Sequence, residues 1–192
     1  PIQTQVFHAL YHTNNNVLIG APTGSGKTIM AELAILRLWN IAPKKKTIYI
    51  APLKAIAKER IKDWKERFEG EKSAVKKKIL ELTGDYTPDL DALKASDILI
   101  TTPEKWDGIS RNWQNRSYVQ DVGLIVIDEI HLLGQERGPV LEVIVSRMNY
   151  IAQKTSIAIR MVGLSTALAN GKDVANWFGV KPQYFFNFKP QV

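Results

Sequence analysis

The sequence predicts an α/β domain: a mostly parallel central sheet with helices on both faces. Two observations predict it. Short apolar runs alternate with longer amphipathic stretches along the whole chain, without repeats or low-complexity segments. The residues of chemical interest then fall where those runs end. Right-handed crossovers put functional loops at that place, the carboxyl ends of the strands.

The elements follow in order. A first segment holding Gln3, His8, Tyr11 and His12 reads as a helix, with these residues on its face. Residues 17–19 read as a buried strand running into a Gly-rich turn. Apolar residues at helical spacing over 28–39, among them Ile29, Leu33 and Leu36, predict a helix. A strand is expected over 47–50, then a helix over 54–68 with Ile56, Ile61, Trp64 and Phe68 inward. Strands at 79–82 and 97–101 flank a short helix at 89–95, and a helix follows at 104–111. Residues 122–127 form the most apolar strand. A helix is expected over 139–152, because Gly138-Pro139 suits a proline at the first helical position. A strand at 159–164, a helix at 170–178 and a last strand at 184–188 complete the prediction. Trp64 and Trp106 lie within amphipathic helices and are expected in the core.

The 192 residues suffice for one large domain. Apolar residues make up 45% and charged residues 23%, the balance of an ordinary globular protein. No apolar run approaches the roughly 20 residues of a membrane span, and the first residues lack the basic and apolar regions of a signal peptide. No initiator Met is present, so the chain reads as a fragment of something longer. Cysteine is absent, which excludes disulfides, thiolate metal sites and cysteine nucleophiles. Lys and Arg number 26 against 19 Asp and Glu, a net +7 that favours phosphate-bearing partners. Lysine runs at 44–46 and 76–78 supply much of the excess and read as solvated loops.

After the first strand comes Gly20-Ala21-Pro22-Thr23-Gly24-Ser25-Gly26-Lys27-Thr28, opening a helix. A strand, a Gly-rich turn and Gly-Lys-Thr at a helix start form a P-loop arrangement. Backbone N–H groups of Thr23, Gly24, Ser25 and Gly26 and the helix N-terminus would face an anion. Lys27 would reach the β- and γ-phosphates, and the Thr28 hydroxyl would bind magnesium. Ala21 stands where the strict pattern has Gly; it is small, and the glycines nearest the lysine are present. About a hundred residues on, an apolar strand ends in Asp128-Glu129-Ile130-His131. Asp128 would hold magnesium, and Glu129 would orient the attacking water.

Asp-Glu-Ile-His resembles motif II of superfamily 2 DExH-box helicases, and further helicase motifs appear in order. Gln3 resembles the Q-motif glutamine that reads adenine. Ala51-Pro52-Leu53-Lys54-Ala55, with Arg60 after it, resembles motif Ia, and Thr83-Gly84-Asp85 resembles motif Ib. Thr101-Thr102-Pro103-Glu104-Lys105 resembles the next nucleic-acid motif. Ser165-Thr166-Ala167 resembles motif III. Wider stretches, such as Glu136-Arg137-Gly138-Pro139-Val140-Leu141-Glu142, are similar to the large two-cassette helicases. That group includes the spliceosomal U5 helicase and the helicase subunit of the activating signal cointegrator complex; 164–170 most resembles a second cassette.

The resemblance implies one RecA-like, ATP-binding domain over 1–192, the first of two. It implies ATP and Mg²⁺ as ligands, with Lys27, Asp128, Glu129 and His131 in the catalytic machinery. Pro52, Lys54, Arg60, Thr83, Gly84, Thr101, Thr102, Pro103 and Glu104 would contact the backbone of single-stranded RNA or DNA. His131 would couple the ATP site to Ser165 and Thr166. The arginines that complete hydrolysis would lie on a second RecA-like domain, so the 192 residues alone are expected to turn over negligibly and to unwind nothing. The full-length protein would move 3′-to-5′ along one strand, inside the cell in nucleus or cytoplasm, in a multiprotein complex and away from membranes. RNA and DNA stay open as substrates. Two alternatives also stand: an idle cassette serving as a nucleotide-binding scaffold, and a P-loop transporter or signalling ATPase.

Overall fold

A computed structural model describes residues 1–84 and 87–190, with Gln135 described by its backbone alone. Helix α1 (Ile2–Tyr11) precedes β1 (Val17–Gly20), α2 (Lys27–Ile41), β2 (Lys46–Ile50) and α3 (Lys54–Trp64). Then come β3 (Ile79–Leu82), α4 (Leu90–Ala95), β4 (Ile98–Thr101), α5 (Pro103–Ser110) and α6 (Ser117–Gln120). The chain continues through β5 (Val122–Ile127), α7 (Gly134–Thr155), β6 (Arg160–Ser165), α8 (Gly171–Trp177) and β7 (Phe185–Asn187). The seven strands form one sheet in the order β3-β4-β2-β5-β6-β1-β7, and every pairing is parallel.

Strand residues alternate between two cores, one on each face. Ile19, Tyr49 and Val126 meet Val6 and Leu10 of α1, Met30 of α2 and Trp64 of α3. Leu18, Ile48 and Ile125 meet Trp106 of α5, Ile144 and Met148 of α7 and Ala175 of α8. Side-chain period two sends neighbours to opposite faces, so a strand covered on both sides is apolar throughout. Trp64 and Trp106 are fully buried, as expected.

Three sequence expectations need correction. Helix α3 ends at Trp64 and continues to Glu69 as a π-turn rather than as α-helix to Phe68. Helix α7 begins at Gly134, before Pro139, which lies inside it. A proline in the second turn forfeits one backbone hydrogen bond; the Arg137–Glu104 ion pair helps hold that early turn against α5. Lys46 is not solvated. It opens β2, is buried, and donates its ammonium to the carbonyls of Lys94, at 2.6 Å, and Ser96. Those carbonyls close α4, where a cation is favoured. Burial lowers the Lys46 pKa, against the opposing pull of Asp121 and Asp97.

Two arginines fasten α1, Arg160 to strand β6 of the sheet and Arg37 to helix α2. Arg160 donates to the carbonyls of Asn15 at 2.7 Å, Leu10 at 2.8 Å and Ala9 at 2.8 Å. Arg37 reaches Tyr11 O at 2.6 Å. These carbonyls lie at or just beyond the C-terminal end of α1, and so the cations fix the helix that carries Gln3.

Candidate nucleotide and nucleic-acid sites

The parallel sheet brings the ends of β1, β5 and β6 together. Ala21 N–H donates to Ser165 O at 2.9 Å, tying the turn after β1 to the end of β6. Gly24 and Gly26 take φ of 79° and 86°, left-handed values that favour glycine. A Cβ on Gly26 would lie 2.1 Å from Gln3 Nε2, whereas one on Gly24 would meet nothing within 4 Å. Gln3 in turn donates Nε2–H to Ser25 O at 2.6 Å. Thr23 is exposed on this turn, and Thr28 is half-buried in the first turn of α2. Lys27 is buried, and its ammonium donates to Ala21 O at 2.9 Å and Pro22 O at 3.1 Å.

Asp128 follows β5 and is buried. Its Oδ1 accepts the Glu129 N–H at 2.8 Å, and its Oδ2 accepts the Tyr49 hydroxyl. Burial pushes the Tyr49 phenol well above its ordinary pKa, and the Asp128 carboxylate adds to this. Glu129 has φ 49°, a left-handed backbone for a non-glycine residue that turns the chain sharply into the 3₁₀ turn Ile130–Leu133. Its Oε2 faces His131 Nε2 at 3.1 Å. On the other side of the ring, Nδ1 accepts Thr166 N–H at 3.2 Å and lies 3.3 Å from Ser165 Oγ.

The ends of β2, β3 and β4 border a cavity of about 500 Å³. Pro52, Lys54, Gly84, Thr102, Glu104 and Arg137 line it. Gly84, at φ 67°, lies beside the Lys54 ammonium, so two of the sequence motifs meet there. Three expected contacts lie elsewhere. Thr101 is buried within β4, with its hydroxyl turned toward Thr102 O at 3.4 Å. The Thr83 hydroxyl is held by Glu81 at 2.6 Å. Arg60 turns inward: it pairs with Asp63 at 3.0 Å, stacks over Trp64 and adjoins Tyr49 and Asp128. Burial works against the Arg60 charge, and Tyr49 and Asp128 outweigh it. Pro103 is buried at the first turn of α5. Asp85 lies outside the described residues.

The family model described as "DEAD/DEAH box helicase" matches residues 1–174. The chain belongs to the DEAD/DEAH box helicase family. ATP binding comes with that membership. This DEAD/DEAH box domain is 63% identical over its whole length to Activating signal cointegrator 1 complex subunit 3 of Danio rerio, covering 12% of that protein. The figures are 62% and 9% for the human protein of that name. They are 64% and 9% for the DExH-box ATP-dependent RNA helicase DExH14 of Arabidopsis thaliana. The chain thus spans about a tenth of the length of these relatives. Among solved structures, the DUF1998 helicase MrfA superposes with a TM-score of 0.82 at 23% identity, over 97% of this chain and 30% of that one. At that identity the likeness speaks for the fold alone, the RecA-like α/β arrangement expected from the motifs.

For this DEAD/DEAH box domain, sequence reasoning missed three residues that shape the sites. Tyr49 reads as one more apolar strand position, yet its hydroxyl holds Asp128. Arg137 lies in a polar stretch without any pattern pointing at the groove. Asn187, on the edge strand β7, accepts from Leu168 N at 3.1 Å and donates to Leu168 O at 2.9 Å, clamping the loop after Ser165-Thr166.

Proposed function

We propose that this domain is the ATP-binding half of a nucleic-acid-dependent motor. It would bind Mg-ATP at the β1, β5 and β6 ends and a single strand of RNA or DNA in the groove at the β2, β3 and β4 ends. The observation that carries this reading is the continuous line of polar contacts from Glu129 Oε2, 3.1 Å from His131 Nε2, through the His131 ring to the Thr166 N–H, beside the turn that holds Lys27. The pieces suit the ligands. The Lys27 ammonium rests on two neutral carbonyls rather than on a carboxylate, so triphosphate oxygens can take their place without breaking an ion pair. Gly24 opens onto free space, as close approach of a phosphate to backbone requires. Among the described residues no three metal-ligating side chains gather. Magnesium would therefore rest on Asp128, Thr28 and phosphate oxygens, a set that suits its habit of keeping several waters.

Lys27 would bind the β- and γ-phosphates. Asp128, held from both sides by Tyr49 and by its own following N–H, would keep one orientation. A bound magnesium ion supplies positive charge against the phosphate oxygens. Glu129 would orient a water, with its carboxylate 3.1 Å from His131 Nε2. Gln3, anchored on Ser25 O, would face the base. Pro52, Lys54, Gly84 and Thr102 would track the strand backbone, contacts that carry no sequence information. Hydrolysis would be completed by arginines of a second RecA-like domain, and the cycle would drive 3′-to-5′ movement. Relatives named as subunits of a signal cointegrator complex support a multiprotein setting, and we place the protein inside the cell, in nucleus or cytoplasm.

The test is the ATPase rate of the full protein with matched single-stranded RNA and DNA oligomers. Stimulation by either supports the reading, and the larger response names the substrate. A rate indifferent to both would sink it.

A further inference from the structure

The groove contains a group that a phosphate track does not call for, an ionised carboxylate. Glu104 lines it with 52% of its side chain exposed, and Arg137 grips both carboxylate oxygens, Nε to Oε1 at 2.7 Å and Nη2 to Oε2 at 2.9 Å. The hydrogen bond from Arg137 holds Glu104 below the usual carboxylate range, against the opposing effect of burial. At neutral pH the group is therefore charged. A carboxylate facing a phosphodiester repels it, and Glu104 makes a poor direct contact with a strand. A guanidinium in this fork-on-fork geometry is different, because it matches phosphate oxygens as well as it matches a carboxylate. Lys54 and Lys105 border the same groove, so among the described residues that line it the cations outnumber the carboxylate of Glu104.

We propose that Arg137 is a phosphate ligand of the strand and that Glu104 is its resident counter-ion, released when a phosphodiester takes its place. This rests on the reading that the groove takes a single strand. Arg137 then trades one bidentate anion for another, and the trade has three consequences. The guanidinium is kept aimed into the groove by the partner it will leave. The net gain from each contact is small, as suits a protein that must let go of one phosphate to take the next. The contact is also blind to base and to sugar. Arg137 sits in the early turns of α7, directly after the 3₁₀ turn that carries His131, so the exchange happens on the element that leads back to the ATP site.

The experiment uses the full protein carrying Glu104→Gln, Arg137→Gln or both. Its binding to labelled oligo-U and oligo-dT of equal length is followed across a salt titration. Glu104→Gln should tighten binding several-fold at low salt and steepen the slope of log affinity against log salt by ~0.7, the contribution of one phosphate contact on a single strand. Arg137→Gln should weaken binding, and Glu104→Gln should add nothing in that background. Both oligomers should respond alike. A Glu104→Gln variant that binds no tighter overturns the exchange, as does a gain that persists without Arg137 or an effect confined to one oligomer. If the unaltered protein shows no salt-sensitive binding to either oligomer, the groove reading itself fails and the exchange falls with it. Unaltered binding together with a flat Glu104→Gln response rejects the exchange alone.

Discussion

Thr166 donates its backbone N–H to Nδ1 of His131 at 3.2 Å. An Nδ1 that accepts cannot carry the ring proton, so the neutral ring holds its proton on Nε2, the nitrogen that lies 3.1 Å from Glu129 Oε2. The imidazole thus spans Glu129 and Thr166, the position that the proposed coupling role requires. His131→Ala removes the connector while leaving Lys27 and Asp128 in place. In the full protein we expect ATP affinity to persist and strand stimulation of ATPase to collapse by roughly 5–150-fold, the range of ordinary coupling energies. Undiminished stimulation would rule the coupling role out.

Glu129→Gln keeps the shape of the side chain and removes its charge. Turnover in the full protein should fall by about 10²–10⁴, the usual contribution of a positioned general base, with ATP still bound. Steady-state kinetics beside equilibrium nucleotide binding reads both quantities. An unaltered cellular function with hydrolysis gone would favour the idle-scaffold alternative over a motor.

Two glycines of the phosphate turn should respond unequally. Both have positive φ, so alanine at either carries about 1–2 kcal/mol of backbone strain. At Gly26 the added Cβ also meets Gln3 Nε2 at 2.1 Å and must expel that side chain from Ser25 O. Gly26→Ala should therefore weaken nucleotide binding well beyond Gly24→Ala, and Gln3→Ala should relieve part of the difference. Equal losses, measured by titration with a fluorescent ATP analogue, would mean that Gln3 is not wedged against the turn.

Asp107 and Arg147 pin α5 to α7. Arg147 Nη1 donates to Asp107 Oδ1 at 2.7 Å, to Asp107 O at 3.1 Å and to Ser110 Oγ at 3.0 Å, while Arg111 donates to Oδ2 at 2.6 Å. Burial raises the Asp107 pKa, and the Arg147 and Arg111 hydrogen bonds more than reverse that, leaving it lowered. A carboxyl lowered on folding stabilises fully above its ordinary value near ~4 and loses that contribution as pH falls through the lower, folded value. Arg147→Leu should cost roughly 1.5–3 kcal/mol, the scale of hydrogen bonds to charged groups, seen as faster amide exchange in α5 and α7. Asp107→Asn should remove the acid-dependent part of that protection, and a pH response identical to the unaltered protein would count against this account.

Much of this was legible because burial leaves a simple mark. Strands β1, β2, β4, β5 and β6 are covered on both faces, so their apolar runs stood out, and their ends located the Lys27 and Asp128 segments. Where a boundary depends on a distant partner, the sequence was silent. Gly138-Pro139 is a sound local signal for a helix start, yet α7 begins at Gly134, and the Arg137–Glu104 pair beside its first turns is not local. Lys46 looked like loop because nothing nearby in the chain shows the carbonyls that end α4. A motif places Arg60 and Thr101 near the groove by position alone, and only packing turns one toward Tyr49 and the other into β4.

Strands β2 and β5 are hydrogen-bonded neighbours, with Ile50 opposite Ile127. The chain leaving the first enters the groove at Pro52 and Lys54, and the chain leaving the second becomes Asp128 and Glu129. The proposed nucleotide site and the proposed strand groove thus draw on neighbouring strands, ~4.8 Å apart, and the Tyr49 hydroxyl reaches from one to Asp128 on the other. That one hydroxyl ties the end of β2 to the acid that follows β5. A lesion at the end of β2 is then never private to the groove, and its phenotype has to be scored in both binding and turnover before it is assigned to either.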